Sequence, residues 1–198
     1  MAEISANKAR TIIRKVMATG TEMGFKPLSA VVLDAGGHVK AFERADGAAP
    51  GRFGIAHGKA ASGELDGWGE TRDGRLALIL LLDQMSRNLH RGTADMFAAD
   101  PKALALATKA IAMGDDDDCD ASVKRWYYMP FMHSEALADQ DRCVELCGQA
   151  GLEDTLPFAI THRDIIVQFG RFPHRNELLG RTTTAEEQAF LDAGGFSG

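Results

Sequence analysis

The spacing of hydrophobic residues changes near residue 55. After Ser5, a typical N-cap, apolar residues recur at helical spacing, and they are Ala9, Ile12, Ile13, Val16 and Met17. Residues 28–33 and 39–42 are rich in β-forming side chains, and residues 34–37 between them contain two glycines, which favour a tight hairpin. The first part of the chain is therefore predicted to be a helix followed by two antiparallel strands.

Beyond residue 55 the pattern is helical, with clear start and stop signals. Residues 76–82 are apolar on every face, which is typical of a buried central helix. Asp100 and Pro101 are expected to form the N-cap and first turn of another helix, which Gly114 ends. Pro130 is expected to stop the helix that precedes it.

These patterns predict an α+β fold that is predominantly α. Residues 1–55 are expected to form a helix and β-hairpin segment, and residues 56–198 an irregular helical bundle or superhelix. Thr184 and Glu187 match a capping box that begins the last helix. An isolated two-stranded hairpin is marginal in water, so we expect a homodimer or larger homo-oligomer joined through this hairpin.

The composition is typical of a globular protein rather than a membrane-spanning or exported one. The chain has 198 residues, of which 45% are hydrophobic and 25% charged, as in ordinary globular proteins. No apolar run approaches the ~20 residues needed to span a bilayer, and the N-terminus does not resemble a signal peptide. Three cysteines without an export signal indicate reduced thiols and a cytoplasmic location, with Cys143 and Cys147 expected to be buried apolar side chains.

The formal net charge of −6 is unevenly distributed. Residues 1–63 carry a net charge of +4 and the remaining residues −10. An acidic helical region argues against nucleic acid as the main partner, and we expect no membrane partner either. The acidic run at residues 115–118 is expected to be a solvated loop, because its carboxylates do not alternate with spacers as calcium ligands do.

Three polar clusters stand out against the apolar helices. The first is Asp83, Gln84, Arg87, Asn88 and Arg91, and the second is His133, Glu135, Asp139 and Gln140. The third is His162, Asp164, Arg171, His174, Arg175 and Asn176. Glu135 and Asp139 are expected to stack on one helix face, where repulsion raises the pKa of one or attracts a cation.

The clusters allow three interpretations. If they converge on one pocket, the candidate catalytic residues are His133, Glu135, His162, Asp164 and His174. The candidate ligand-binding residues are then Asp83, Arg87, Asn88, Arg171, Arg175 and Asn176. Such a pocket can bind a divalent metal that activates water, or grip a small anionic ligand with a histidine as general acid–base. Alternatively, the clusters form a structural network that ties helix ends together in an interaction module.

Two resemblances to known families add to these predictions. The stretch LSAVVLDAGGHVKAFERADGAAP followed by IAHGKA resembles the N-terminal half of the haem-binding HbpS/GlcG-like family, over residues 4–60. That resemblance implies homo-oligomers and haem as a ligand, which makes His38 and His57 candidate haem ligands.

The second resemblance covers residues 52–198. The blocks GELDGW, GRLALILLLDQMSRNLHRGTADMFAADPKALALA, PFMHSEALADQDR and HRDIIVQFGRFPHRNELLGR look like the bacterial domain of unknown function family 924. The family implies an all-α, tetratricopeptide-like superhelix without an established reaction. The chain is therefore interpreted as a natural fusion or an engineered chimera of the two.

Overall fold

A computed structural model describes residues 4–33, 39–48 and 52–196. By contacts within the chain it divides into two compact units, Met1–Lys59 and Ala60–Gly198. The change from one unit to the other falls within the helix Arg52–Ser62, as does the boundary predicted after residue 55. Each unit is described by itself below.

The N-terminal unit consists of a helix packed on a hairpin. Helix α1 spans Ala6–Glu22, and the Ser5 hydroxyl accepts a hydrogen bond from the Lys8 amide at 3.2 Å, so the predicted N-cap is confirmed. Strands β1 (Ser29–Leu33) and β2 (Val39–Arg44) pair antiparallel, and α1 contacts both. Among the described residues the sheet has two strands, and the predicted glycine turn at residues 34–37 lies outside them.

The rest of the described chain is helical. The α-helices are α2 (Arg52–Ser62), α3 (Arg72–Ile79), α4 (Ser86–Leu89), α5 (Asp100–Ala112), α6 (Ala121–Met132), α7 (Leu137–Gln149), α8 (Leu156–Phe169) and α9 (Ala185–Asp192). Short 3₁₀ helices span Asp66–Glu70, Ala94–Phe97 and Pro173–Arg175, and a π-helical stretch spans Leu80–Met85. The predicted fold class, mainly α with a small β part, is confirmed.

The core of the helical unit forms around the apolar residues of α3 and its continuation. Leu78, Ile79 and Leu82 are at most 1% exposed, whereas the other residues of 76–82 are partly buried, so the stretch is central to the core but not buried on every face. Ile79 packs into the main core with side chains from α5, α6 and α7. Cys143 and Cys147 belong to that core, both with free thiols.

Local signals at helix ends were only partly correct. The capping box of α9 is confirmed, because the Thr184 hydroxyl accepts from the Glu187 amide and the Glu187 carboxylate accepts from the Thr184 amide. Pro130 does not stop its helix; it lies buried inside α6, which continues to Met132. Asp100 makes no capping bond, because its carboxylate binds Arg87 instead.

The acidic run after Gly114 is not a solvated loop throughout. Asp115 and Asp116 are buried, because each has a partner from a distant helix. The Arg75 guanidinium donates two hydrogen bonds to Asp115, at 2.5 and 2.7 Å, and the Tyr128 hydroxyl donates to Asp116 at 2.6 Å. These partners hold the start of the loop against the core.

Of the helices that the structure describes, none combines the length and apolar character needed to cross a membrane.

Candidate functional site

A cavity of about 390 Å³ lies in the helical unit, where part of the predicted polar residues meet. Its apolar wall is formed by Phe97, Pro101, Leu104, Pro130 and Leu179. Its polar wall is formed by Asp100, His133, Ser134, Glu135, Arg175 and Arg181. The volume and the mixed lining suit a small molecule with an apolar part and a polar end.

Asp83 orients the imidazole of His133 at the edge of this cavity. Asp83 lies in the π-helical stretch Leu80–Met85 and is 1% exposed, and its Oδ1 lies 2.6 Å from Nδ1 of His133. Burial opposes ionisation of Asp83, but His133 and then Arg87 outweigh it, so its pKa is lowered. An ionised carboxylate only accepts hydrogen bonds, so Nδ1 donates and Nε2 is the nitrogen left for a ligand.

The turn that carries His133 is fixed by Gln140, a member of the same predicted cluster. The Gln140 side-chain amide is fully buried and donates to the carbonyl oxygens of Met132, at 2.8 Å, and Ser134, at 2.5 Å. His133 is the C-cap residue of α6, between these two carbonyls. Gln140 therefore fixes the backbone on both sides of His133, and Asp83 fixes its imidazole through Nδ1.

Arg87 links the first cluster to the cavity wall. Its guanidinium donates to Asp100 Oδ2 at 2.9 Å and to the Met96 carbonyl at 2.6 Å, and lies 3.5 Å from Asp83. Burial raises the pKa of Asp100, although the hydrogen bond from Arg87 opposes that shift. Oδ1 of Asp100 is buried and has no hydrogen-bond partner among the described residues.

Arg175 is a buried cation that forms a long ion pair with Asp100. It is 6% exposed, and its guanidinium stacks over Phe97 at 4.6 Å and over Phe172 at 4.5 Å from the ring centres. The nearest carboxylate oxygen given for it, Asp100 Oδ2, is 3.8 Å away, and its Nε has no partner among the described residues. Burial, reinforced by Arg87, lowers the pKa of Arg175 to about 10, so it remains charged at neutral pH.

Glu135 and Arg181 close another side of the cavity as an ion pair. Two hydrogen bonds join them, at 2.9 and 2.7 Å, and Glu135 also accepts from the Phe172 amide at 2.9 Å. Burial opposes ionisation of Glu135, but Arg181 and the Phe172 amide outweigh it and lower the pKa. Glu135 precedes α7 and does not stack on Asp139, which accepts from Ser134 instead. The pairing makes Glu135 a structural acceptor rather than a proton donor.

The two histidines of the third cluster do not line this cavity. His162 Nδ1 lies 2.8 Å from the Phe158 carbonyl, and its ring packs edge-on against Phe172 and Phe196. His174 packs against the same two rings. Burial lowers the pKa of each histidine to about 4, despite the hydrogen bond to His162. Both are neutral members of an aromatic cluster at neutral pH.

Other predicted site residues have structural partners elsewhere. Arg171 binds Glu187 through two hydrogen bonds, and the Asn176 amide donates to Glu187 at 3.2 Å. The Arg171 ion pair is the first cause that lowers the pKa of Glu187 to about 2. Asp164 is exposed and pairs with its neighbour Arg163, while Asn88 donates to the Gln84 carbonyl within its own helix. None of these residues lines the cavity.

The two candidate haem ligands belong to the N-terminal unit. His57 lies in α2 and is 8% exposed, while His38 lies outside the described residues. A cavity of about 260 Å³ in this unit is lined by residues of α1, by both strand flanks and by no histidine. Haem ligation by His38 and His57 stays a prediction.

Metal binding requires several ligands at one place. Within residues 4–33, 39–48 and 52–196, no group of three or more His, Cys, Asp or Glu side chains is arranged to hold a metal ion. At the cavity, the Asp83 carboxylate already binds the His133 imidazole, and the Glu135 carboxylate already binds the Arg181 guanidinium. The donor set favours recognition by hydrogen bonds over coordination.

Sequence reasoning missed most of the cavity lining, including Phe97, Asp100 and Arg181. Asp100 was interpreted as a helix cap, and Phe97 and Arg181 belonged to none of the polar clusters. In sequence, Asp100 followed by Pro101 is typical of a helix N-cap. Its role in the cavity lining is recognised only from its contact with Arg87. Arg181 follows Gly180 in a loop, where its partner Glu135, 46 residues earlier, could not be identified from spacing.

Comparisons with known proteins confirm both resemblances. Residues 35–195 match the family model described as bacterial protein of unknown function (DUF924), and residues 4–65 match that of haem degrading protein HbpS-like. A solved structure of a protein of unknown function, ATU0120 from Agrobacterium tumefaciens, is similar at 48% identity and a TM-score of 0.69. The similarity covers 72% of this chain and 81% of that chain. No relative was found among curated proteins.

Proposed function

Because the chain belongs to DUF924, a family of bacterial proteins of unknown function, we propose a function from the cavity itself. The helical unit binds a small anionic molecule, and His133 exchanges a proton with it. The observation that carries this proposal is a buried guanidinium, Arg175, whose Nε has no hydrogen-bond partner among the described residues and which lines the same cavity as an imidazole oriented by Asp83.

Comparison with other arginines supports anion binding by Arg175. Arg75 and Arg181 each donate two hydrogen bonds to a carboxylate, and Arg87 donates to Asp100 and a carbonyl. The Arg175 side chain is almost as buried as that of Arg75, yet none of its described contacts is a hydrogen bond. A desolvated cation without hydrogen bonds is costly, so a ligand carboxylate or phosphate that binds it bidentately is strongly favoured.

The acid–base role rests on the geometry of His133. A buried carboxylate on Nδ1 fixes the tautomer and stabilises an imidazolium, as in other sites where histidine acts as a general base. The reacting nitrogen is then Nε2, on the side of the ring that faces away from Asp83. Asp83 and Glu135 both have lowered pKa values and are held by partners, so His133 is the residue assigned the proton exchange in this proposal.

A structural role for the same network makes different predictions. If the contacts among Asp83, His133, Arg87 and Asp100 serve only to join helix ends, small anions will not bind. Arg175 would then be stabilised only by its long ion pair with Asp100 and by stacking on Phe97 and Phe172. Binding measurements therefore separate the two functions directly.

Calorimetric titration of the protein with inorganic phosphate and with acetate tests the proposal. We expect saturable binding of at least one anion, abolished in Arg175→Gln and weakened in Arg175→Lys, because lysine lacks the bidentate fork. Arg163→Gln removes the same charge from an exposed position and should bind as the parent does. Circular dichroism of each variant checks folding. Absence of binding, or equal affinity in the two glutamine variants, contradicts the proposal.

The proton-exchange part needs a separate measurement. In protein labelled with ¹⁵N at histidine, anion addition should shift the His133 Nε2 resonance and leave that of His90 unchanged. His133→Gln assigns the signal. If an anion binds and the His133 ring resonances do not move, the ligand lies away from the imidazole and the acid–base role is wrong.

The N-terminal unit does not add haem chemistry to this proposal. The match of residues 4–65 to the haem degrading protein HbpS-like family implies haem, but the described cavity of this unit has no histidine in its lining. His57 is buried in α2 and is not part of that lining. We derive no reaction step through haem.

A further inference from the structure

Resting on the proposed anion site, we propose that the ligand is a small hydroxy or amino carboxylic acid. Its carboxylate binds Arg175, its neighbouring O–H or N–H donates to Asp100, and a short aliphatic group fills the apolar side of the cavity. This inference rests on two buried atoms without hydrogen-bond partners among the described residues, one a donor and one an acceptor. They belong to two residues that line the same cavity.

The first of these atoms is Nε of Arg175, which is a donor. It is buried and has no partner among the described residues, so an acceptor on a molecule bound beside it would satisfy it. The residue is 6% exposed and is held on both sides by aromatic rings, Phe97 and Phe172, which fix the guanidinium plane. A planar carboxylate matches one edge of such a guanidinium with two parallel hydrogen bonds.

The second atom is Oδ1 of Asp100, which is an acceptor. The other carboxylate oxygen, Oδ2, accepts a hydrogen bond from Arg87 at 2.9 Å. Oδ1 is buried and has no partner among the described residues. An ionised carboxylate oxygen in this state calls for a donor from the ligand. An acid without a hydroxyl or amine leaves Oδ1 unsatisfied and brings a second negative charge towards it.

The distance between Arg175 and Asp100 limits how far apart the ligand's carboxylate and its hydrogen-bond donor can be. Arg175 Nη1 lies 3.8 Å from Asp100 Oδ2, so the cation and the carboxylate are neighbours on the wall. A ligand that satisfies both needs its donor close to its carboxylate, as on the carbon next to it. Inorganic phosphate also carries an O–H, but it has no alkyl group for the apolar lining and its dianion brings a second negative charge towards Asp100, and it therefore fits less well.

The remaining lining indicates the rest of the molecule. Pro101, Leu104 and Leu179 present aliphatic surface on the same cavity, whose volume is about 390 Å³. A short branched alkyl group gains from burial against these side chains. The ligand class is thus a hydroxy or amino acid with an aliphatic side chain, rather than a dianionic phosphate ester.

Titration calorimetry with matched acids tests this inference. Hydroxyisocaproate and leucine carry the donor, while isocaproate has the same carbon skeleton without it. We expect the better of the two donor-bearing acids to bind about tenfold or more tightly than isocaproate, because the analogue leaves Asp100 unsatisfied. Which of them binds better identifies a hydroxyl or an amine as the donor. In Asp100→Ala the preference should disappear, while Asp100→Asn keeps an acceptor and should retain part of it.

The outcomes separate this inference from the proposed function. Equal binding of all three acids, lost in Arg175→Gln, overturns the inference and leaves the anion site intact. Tighter binding of inorganic phosphate than of any acid does the same. If no anion binds, the proposed function itself is wrong, and the inference with it. An Asp100→Ala protein that fails to fold leaves the comparison of ligands on the parent chain as the deciding measurement.

Discussion

His133 Nδ1 and Asp83 Oδ1 lie 2.6 Å apart, although 50 residues separate them in sequence. Asp83 is 1% exposed and belongs to a π-helical stretch, a local distortion that is often found at functional sites. The side-chain amide of Gln84, the next residue in sequence, also donates a hydrogen bond to the Asp83 carboxylate. This contact joins the central helix to the C-terminus of α6 and orients the imidazole at the cavity.

Replacing Asp83 should destabilise the protein strongly. In Asp83→Ala, both His133 and Arg87 lose a buried anionic partner, and breaking a buried ion pair typically costs about 3–5 kcal/mol. Urea unfolding followed by circular dichroism measures the change. Asp164→Ala, at an exposed site, should stay within about 0.5 kcal/mol of the parent. A similar small effect at both positions would show that the Asp83 contact is not formed in solution.

Acid should destabilise the helical unit through the buried histidines. Burial lowers the pKa of His162 and His174 to about 4, against 6.5 for the ordinary side chain. Between pH 6.5 and 4 the unfolded chain therefore binds protons that the folded chain does not. The free energy of unfolding falls as pH is lowered through this window, by roughly 3 kcal/mol for His162.

A variant without these titrating groups checks the assignment. His162→Phe combined with His174→Phe keeps aromatic side chains in the cluster and removes both protonation steps. Urea unfolding at several pH values should then give a much flatter dependence between pH 6.5 and 4 than in the parent. An unchanged slope in the double variant would assign acid sensitivity to other groups.

The N-terminal unit is predicted to mediate self-association. Its two described strands form a marginal sheet by themselves, and Phe42 on β2 is 45% exposed. We expect a homodimer or larger assembly at micromolar concentration by light scattering, with Phe42→Glu shifting it towards monomer. Phe158→Glu alters a phenylalanine of α8 that is 60% exposed and should leave the assembly intact. A monomeric parent chain would contradict the prediction.

Haem binding can be tested on the same protein. Titration with haem should give a Soret band if His38 or His57 is an axial ligand, and the band should be lost in His38→Ala or His57→Ala. His90→Ala, in the helical unit, serves as the control variant. Absence of a Soret band in the parent would show that the resemblance of residues 4–65 to the haem degrading family does not extend to its ligand.

The sequence by itself determined the features that depend on near neighbours. The Ser5 cap and the Thr184–Glu187 capping box involve residues three apart, within one helical turn. Spacing and propensity act over that range, so they were predicted correctly. Both family resemblances were recognised from contiguous blocks for the same reason.

Only the tertiary structure decided which polar residues meet. Asp115 and Asp116 are buried because Arg75 and Tyr128 reach them, and Asp100 faces Arg87 instead of capping its helix. Of the three predicted clusters, His133, Glu135 and Arg175 share the cavity, whereas Asp164 faces solvent. The free energy of a buried charge depends on its partner, and no local pattern identifies a partner that lies tens of residues away.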